Sequence, residues 1–148
     1  MQIQHNISLK NFNTFGIDAN AKSYVSISSI SELKEVLDLK KKIFVLSGGS
    51  NLLLTKDIDK LVLHLNTKGI EVHELNQNEV LVSAEAGENW HEFVLWCISK
   101  NYGGLENLSL IPGNVGTSPI QNIGAYGVEV KNTITEVEAI EINSGISK

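Results

Sequence analysis

Hydrophobic and polar positions recur along this chain with a changing period, and the changes mark out its elements. Residues 24–27 read as a strand, and Ser29 then opens a helix whose apolar face is Ile30, Leu33, Val36 and Leu37. Glu32, three positions after that serine, completes a capping-box pattern. The helix fades into Lys40, Lys41 and Lys42, which favour the negative end of its macrodipole. Residues 43–46 form a short, wholly apolar run, the mark of a strand covered on both faces as in a βαβ unit. Residues 52–54 and 61–65 continue as strands, and 70–75 pairs with 80–84 across the turn Asn76-Gln77-Asn78.

From residue 89 the period changes to that of a helix. Trp90, Phe93, Val94, Cys97 and Ile98 recur at i, i+3, i+4, i+7 and i+8, predicting a helix over 89–101 that Gly103 and Gly104 stop. Trp90 belongs to the core stripe, whereas Trp96, six positions on, points elsewhere. Residues 105–127 hold both prolines and keep no steady period, and so long a loop is more often functional than idle. Residues 134–142 read as a strand, and Asn143-Ser144-Gly145 as a turn toward a partner strand that the chain stops too soon to supply.

Composition narrows the classes available. The 148 residues, 42% hydrophobic and 20% charged, suffice for a real core without a disulfide or metal staple. The single cysteine excludes an intrachain disulfide, the first residues lack a signal peptide's basic and apolar regions, and no apolar stretch is long enough for a membrane span. The expectation is a soluble cytoplasmic protein, with neither membrane nor nucleic acid as partner, since the net charge is −5 and basic clusters are few. All 12 basic residues are lysine, so no guanidinium chemistry is completed within the chain.

Two strings carry candidate chemistry. Gly48, Gly49, Ser50 and Asn51 follow the apolar run 43–46, where glycines let a ligand approach the backbone and successive N–H groups can cradle a pyrophosphate. A plain tight turn explains the same string. The second is the stretch 111–127: its prolines fix the path, and Thr117, Ser118, Gln121 and Asn122 offer neutral donors and acceptors suited to a large polar ring or a sugar. An Ω-like loop packed on its own side chains is the duller alternative. Two Gly-x-x-Gly strings lie here, but they lack the basic flanks of an RNA clamp. His91-Glu92 begins like a zinc-protease helix, yet Leu95 stands where the second histidine belongs, so the pair reads as an exposed helix face. His5, His64 and His73 show no metal-ligand spacing.

Together with Asn13-Thr14-Phe15-Gly16 and Gly104-Leu105-Glu106-Asn107-Leu108, these strings make the chain resemble the UDP-N-acetylenolpyruvoylglucosamine reductases, also called UDP-N-acetylmuramate dehydrogenases, of bacterial cell-wall synthesis. The resemblance implies an α+β fold of the vanillyl-alcohol-oxidase (PCMH) type, with two small FAD-binding subdomains, expected at 1–66 and 67–148, the second incomplete. It implies FAD as cofactor, NADPH as hydride donor and a UDP-sugar as small-molecule substrate. Carried over by position, Gly48, Gly49, Ser50 and Asn51 would hold the pyrophosphate. Ile111, Pro112, Gly113, Thr117, Ser118, Ile120, Asn122 and Gly124 would line the flavin, and Tyr126 would lie near the substrate. The family's catalytic arginine, serine and glutamate would all fall beyond Lys148, in members roughly twice as long. The chain is therefore expected to be a cofactor-binding portion that is inactive alone and prone to self-associate. The rival reading is a non-catalytic FAD- or nucleotide-binding module of the same fold.

Overall fold

The computed structural model describes the backbone of residues 1–148 and every side chain but that of Glu74. The chain divides into two units, one formed by Met1–Thr67 with Glu136–Lys148 and the other by Lys68–Thr135. The first unit is thus made of two chain segments, with residues 68–135 between them.

The first unit is built on a four-stranded sheet. Strands β1 (Gln4–Ser8), β2 (Asn20–Ile27), β3 (Ile43–Leu46) and β4 (Ile58–Leu65) lie in the order β1-β2-β4-β3. β1 is antiparallel to β2, whereas β2, β4 and β3 run parallel. The parallel connection from β2 to β3 runs through α1 (Ile30–Asp38), as parallel strands require a crossover. Successive side chains on β2 and β4 alternate between two cores. Ala21, Tyr24 and Val62 pack with Leu9, Ala19, Leu46 and Leu54, while Val25, Ile27, Leu61 and Leu63 pack with Val36 of α1. Ser29 caps α1 by accepting the Glu32 N–H (3.2 Å). The Glu32 carboxylate reaches one residue further back than a capping box would place it, accepting the Ser28 N–H and O–H at 2.8 and 2.7 Å.

Four expectations for these parts of the chain are corrected. β3 is not covered on both faces: it is the edge strand beyond β4, and Val45 is 48% exposed. Residues 52–54 form no strand: Leu52 and Leu54 turn toward the core and Leu53 outward, as in a strand, but no neighbouring strand pairs with them. Residues 134–142 hold only an isolated bridge, between Ile140 and Ser147. The turn at 143–145 has its partner within the chain: Ala139 and Lys148 exchange two backbone hydrogen bonds (3.0 and 2.8 Å), and the Glu141 oxygen accepts from Gly145 (2.7 Å).

In the second unit β5 (Ile70–Glu74) and β6 (Val80–Ala84) form the expected antiparallel hairpin. Alternate hairpin residues Ile70, Val82 and Ala84 face a core of Trp90, Phe93, Val94, Cys97, Leu108 and Val130. The helix α2 (Trp90–Ser99) supplies most of it, with Asn89 as N-cap accepting the Glu92 N–H (3.1 Å). It ends before the glycines, at Lys100, with Asn101 taking the left-handed backbone (φ 61°). Phe93 stacks on Trp96 at 6.5 Å. Burial, with the charge of Glu106 adding to it, pushes the Cys97 thiol up to about 11. An aromatic disulfide reagent at pH 8 is therefore expected to leave Cys97 unmodified in the native chain and to titrate it once urea unfolds the protein.

Candidate functional site

The glycine string sits at the carboxyl end of β3, where parallel α/β sheets present their ligands. Gly49 has φ +60°, and the direction a side chain would take is filled by the chain itself: an added Cβ would lie 2.0 Å from the Phe12 carbonyl oxygen and 3.0 Å from the Asn13 Cα. The Gly49 oxygen accepts the Thr14 N–H (3.2 Å). This glycine therefore fits the loop against the turn at 12–16. It does not merely open a path for a ligand, as the sequence suggested. Gly48 and Asn51 are exposed and Ser50 half-buried. The adjoining Ser47 hydroxyl is enclosed and, among the described residues, has no hydrogen-bond partner.

The turn that meets Gly49 is braced by Asn13, a buried residue to which sequence reasoning gave no role. Its Nδ2 donates to the oxygens of Leu9 (2.7 Å) and Ile17 (2.9 Å), and its Oδ1 accepts the Ile17 N–H (3.0 Å). A polar residue four positions from two backbone partners in a short, irregular segment was the available signal. Asn13→Ala leaves buried backbone groups unpaired and is expected to cost about 3 kcal/mol, seen as a lower urea midpoint with an unchanged slope.

In the second unit the stretch 108–116 is gripped by the residues that open α2. The Trp90 Nε1–H donates to the Leu108 oxygen (2.8 Å), and the Trp90 N–H to the Gly113 oxygen (3.0 Å). The Val115 N–H donates to the Glu88 oxygen (2.9 Å), the Gly116 N–H to the Ala86 oxygen (3.0 Å), and the Asn114 Nδ2 to the Gly87 oxygen (3.2 Å). A Cβ on Gly116 would come within 2.6 Å of the Ala86 Cβ, so only glycine lets the two segments approach this closely. His91 is half-buried, and its Nδ1 lies 3.0 Å from the Ser109 hydroxyl and 3.2 Å from the Leu110 N–H. It is not the exposed helix-face residue that was expected.

Beyond this clamp the predicted residues divide by task. Thr117 Oγ1 donates to the Asn114 oxygen (2.8 Å), and the buried Ser118 Oγ to the Val115 oxygen (2.8 Å). Pro119 is the second residue of the single turn α3 (Ser118–Gln121), which Asn122 closes in left-handed conformation (φ 43°) while its Oδ1 accepts the Lys131 N–H (3.2 Å). Gly124 belongs to the two-residue strand β7 (Gly124–Ala125), paired antiparallel with β8 (Val128–Glu129). The polar side chains of Thr117, Ser118 and Asn122 thus brace the loop. Its large hydrophobic side chains are in part left out of the core: Leu110, Ile120 and Tyr126 are 76%, 81% and 89% exposed. Leu110 and Tyr126 also hold positive φ (62° and 53°), a strained backbone for residues with side chains. Ile111 and Gly113 are half-buried, and Pro112 is exposed.

Between residues 105 and 130 the only charges are Glu106 and Glu129. The Glu106 carboxylate sits below its ordinary range because backbone N–H groups, its own and that of Gly104, donate to it. No described group of His, Cys, Asp or Glu could hold a metal ion, and no described helix is long and apolar enough to cross a membrane. Taken each by itself, exposed apolar side chains on a braced neutral loop suit an isoalloxazine ring, and a glycine loop at a strand's carboxyl end suits a pyrophosphate, so each unit offers groups that fit one part of a flavin nucleotide.

A small α+β unit ending a parallel strand in a glycine loop, together with a second unit that clamps a proline- and glycine-rich segment, defines a dinucleotide-cofactor protein. The chain belongs to the FAD binding domain family, whose model matches residues 21–146, and FAD is its cofactor. Over its whole length it is 56% identical to the UDP-N-acetylenolpyruvoylglucosamine reductase of Flavobacterium johnsoniae, covering 44% of that protein. Over 98% of its length it is 45% identical to the enzyme of the same name from Pseudomonas putida, again covering 44%. The crystal structure of UDP-N-acetylenolpyruvylglucosamine reductase from Thermus caldophilus superposes on the whole chain with a TM-score of 0.79 at 24% identity, over 52% of that structure. The fold is thus the α+β type expected from the resemblance. The chain spans less than half the length of the curated relatives it matches.

Proposed function

We propose that this chain is the FAD-binding part of an enzyme that reduces UDP-N-acetylglucosamine enolpyruvate to UDP-N-acetylmuramate with NADPH. When bound, FAD would supply the hydride carrier between nicotinamide and the enolpyruvyl double bond. The chain's own residues bind and orient it. Backbone N–H groups at Gly48, Gly49, Ser50 and Asn51 hold the pyrophosphate. Ile111, Pro112, Gly113, Ile120 and Gly124 present the flavin with a surface that excludes water. Thr117, Ser118 and Asn122 keep that surface in shape. Tyr126, exposed on a strained turn, faces the UDP-sugar. Stabilising and protonating the developing carbanion falls to groups outside this sequence, which has no arginine. The observation that carries the reading is the clamped segment 108–124, which is held by hydrogen bonds to residues 86–90 and by the packing of Leu108, Ile111, Val115 and Ile123, yet leaves the side chains of Leu110 and Ile120 exposed.

The test mixes the chain with FAD, removes free cofactor and records the flavin spectrum. It then compares NADPH oxidation, with and without the enolpyruvyl sugar nucleotide, against the Flavobacterium johnsoniae reductase. Retained flavin without substrate-dependent turnover is expected, since loss of one transition-state donor alone costs roughly 10² to 10³ in rate. A chain that never retains FAD overturns the reading, and turnover near the full enzyme's rate overturns the placement of the catalytic groups.

A further inference from the structure

Trp90 grips the clamped segment at two points, Leu108 and Gly113, and Leu110 lies between them. Leu110 stands there in the left-handed region (φ 62°), which a residue with a branched side chain rarely adopts. Packing does not hold it there, because the side chain is 76% exposed. The Leu110 N–H instead donates to the His91 Nδ1 at 3.2 Å, and the Ser109 hydroxyl lies 3.0 Å from the same nitrogen. A backbone N–H can only donate, so Nδ1 is the unprotonated acceptor and the ring proton sits on Nε2. His91 is the second residue of α2, directly after the tryptophan that fixes the segment on either side.

We infer that His91 is a positioning residue whose Nδ1 holds Leu110 left-handed and so sets the path of the chain into Ile111, Pro112 and Gly113. The inference rests on the reading of that segment as flavin-binding. The ring needs no contact with the cofactor: it acts through one amide, and the shape that amide enforces is what the flavin meets. A leucine without this acceptor relaxes toward negative φ, moving the start of the segment while both tryptophan anchors stay in place.

The experiment compares the wild-type chain with His91→Ala, His91→Asn and His91→Gln. Two readouts are used: hydrogen exchange at the Leu110 amide in the cofactor-free chain, and FAD affinity by quenching of flavin fluorescence. Asparagine carries an acceptor oxygen where histidine carries Nδ1, whereas glutamine places it one bond further out. His91→Ala and His91→Gln are expected to lose Leu110 protection and to weaken FAD binding roughly tenfold. His91→Asn is expected to keep both. In a Leu110→Gly background the loss caused by His91→Ala should shrink, because glycine holds the left-handed backbone without help. Equal protection of Leu110 in wild type and His91→Ala overturns the inference, as does lost protection with unchanged FAD affinity or failure of asparagine to rescue. A wild-type chain that takes up no FAD overturns the underlying reading, and the exchange data still decide whether His91 holds Leu110.

Discussion

Gly49→Ala is expected to unfold the first unit's sheet edge, lowering stability by about 4 kcal/mol or more. Roughly 1–2 kcal/mol of that is the cost of placing any L-residue at φ +60°. The rest comes from a Cβ built 2.0 Å from the Phe12 oxygen, a backbone atom that cannot swing aside as a flexible side chain would. Gly16 is the internal control: its φ is +64°, but an added Cβ meets nothing within 4 Å. Gly16→Ala should therefore show the conformational cost alone, about 1 kcal/mol. Urea denaturation followed by far-ultraviolet circular dichroism separates the two variants. Equal losses would mean that the overlap at Phe12 is relieved at little cost. The comparison also shows why substitution of Gly49 is a poor probe of cofactor approach: it acts on folding first.

Trp90→Ala is expected to cost the second unit about 3–5 kcal/mol. The indole fills the centre of that core, with Phe93 at 5.9 Å between ring centroids, and it carries the buried hydrogen bond to the Leu108 oxygen. Trp90→Phe keeps most of the ring volume and orphans only that oxygen, so a loss of about 1–3 kcal/mol should remain. Thermal unfolding measured by the fluorescence of the remaining Trp96 checks both. A phenylalanine variant as stable as wild type would remove the Nε1 bond from the list of what holds the clamp.

The elements with a clean period were legible in the sequence, and those fixed by long-range partners were not. Ser29 announced α1, the stripe from Trp90 to Ile98 announced α2, and the polar turn at 76–78 announced the hairpin, because each signal is local. The run 43–46 identified a strand but not its place in the sheet. An all-apolar segment reads the same at an edge as at the centre, and only the order β1-β2-β4-β3 leaves Val45 outside. Residues 134–142 carry the alternation of a strand, yet Ile134 packs in one unit and Ile140 belongs to the other. At the site, the strings 48–51 and 111–127 stood out by composition. The residues that shape them, Asn13, Trp90 and His91, were noticed for other reasons, and their bracing role was not legible because their partners lie along the backbone of segments that turn to meet them. Hydroxyls and amides read as ligand donors, at Thr117, Ser118 and Asn122, turned out to brace their own loop.

The return of Glu136–Lys148 to the first unit makes the second a nested insertion, entered at Lys68 and left at Thr135. Synthesis from the amino end therefore delivers every residue of the inserted unit before residues 136–148 of its host. The host's β-strands are all made by residue 65, but its second segment, in which Ala139 pairs with Lys148 and whose Asn143 oxygen accepts from the Lys40 ammonium, follows only after the insert. Lengthening the insert is thermodynamically cheap, at about 0.6 kcal/mol of closure entropy for each doubling of the loop, so the inner module can grow with little penalty to the outer.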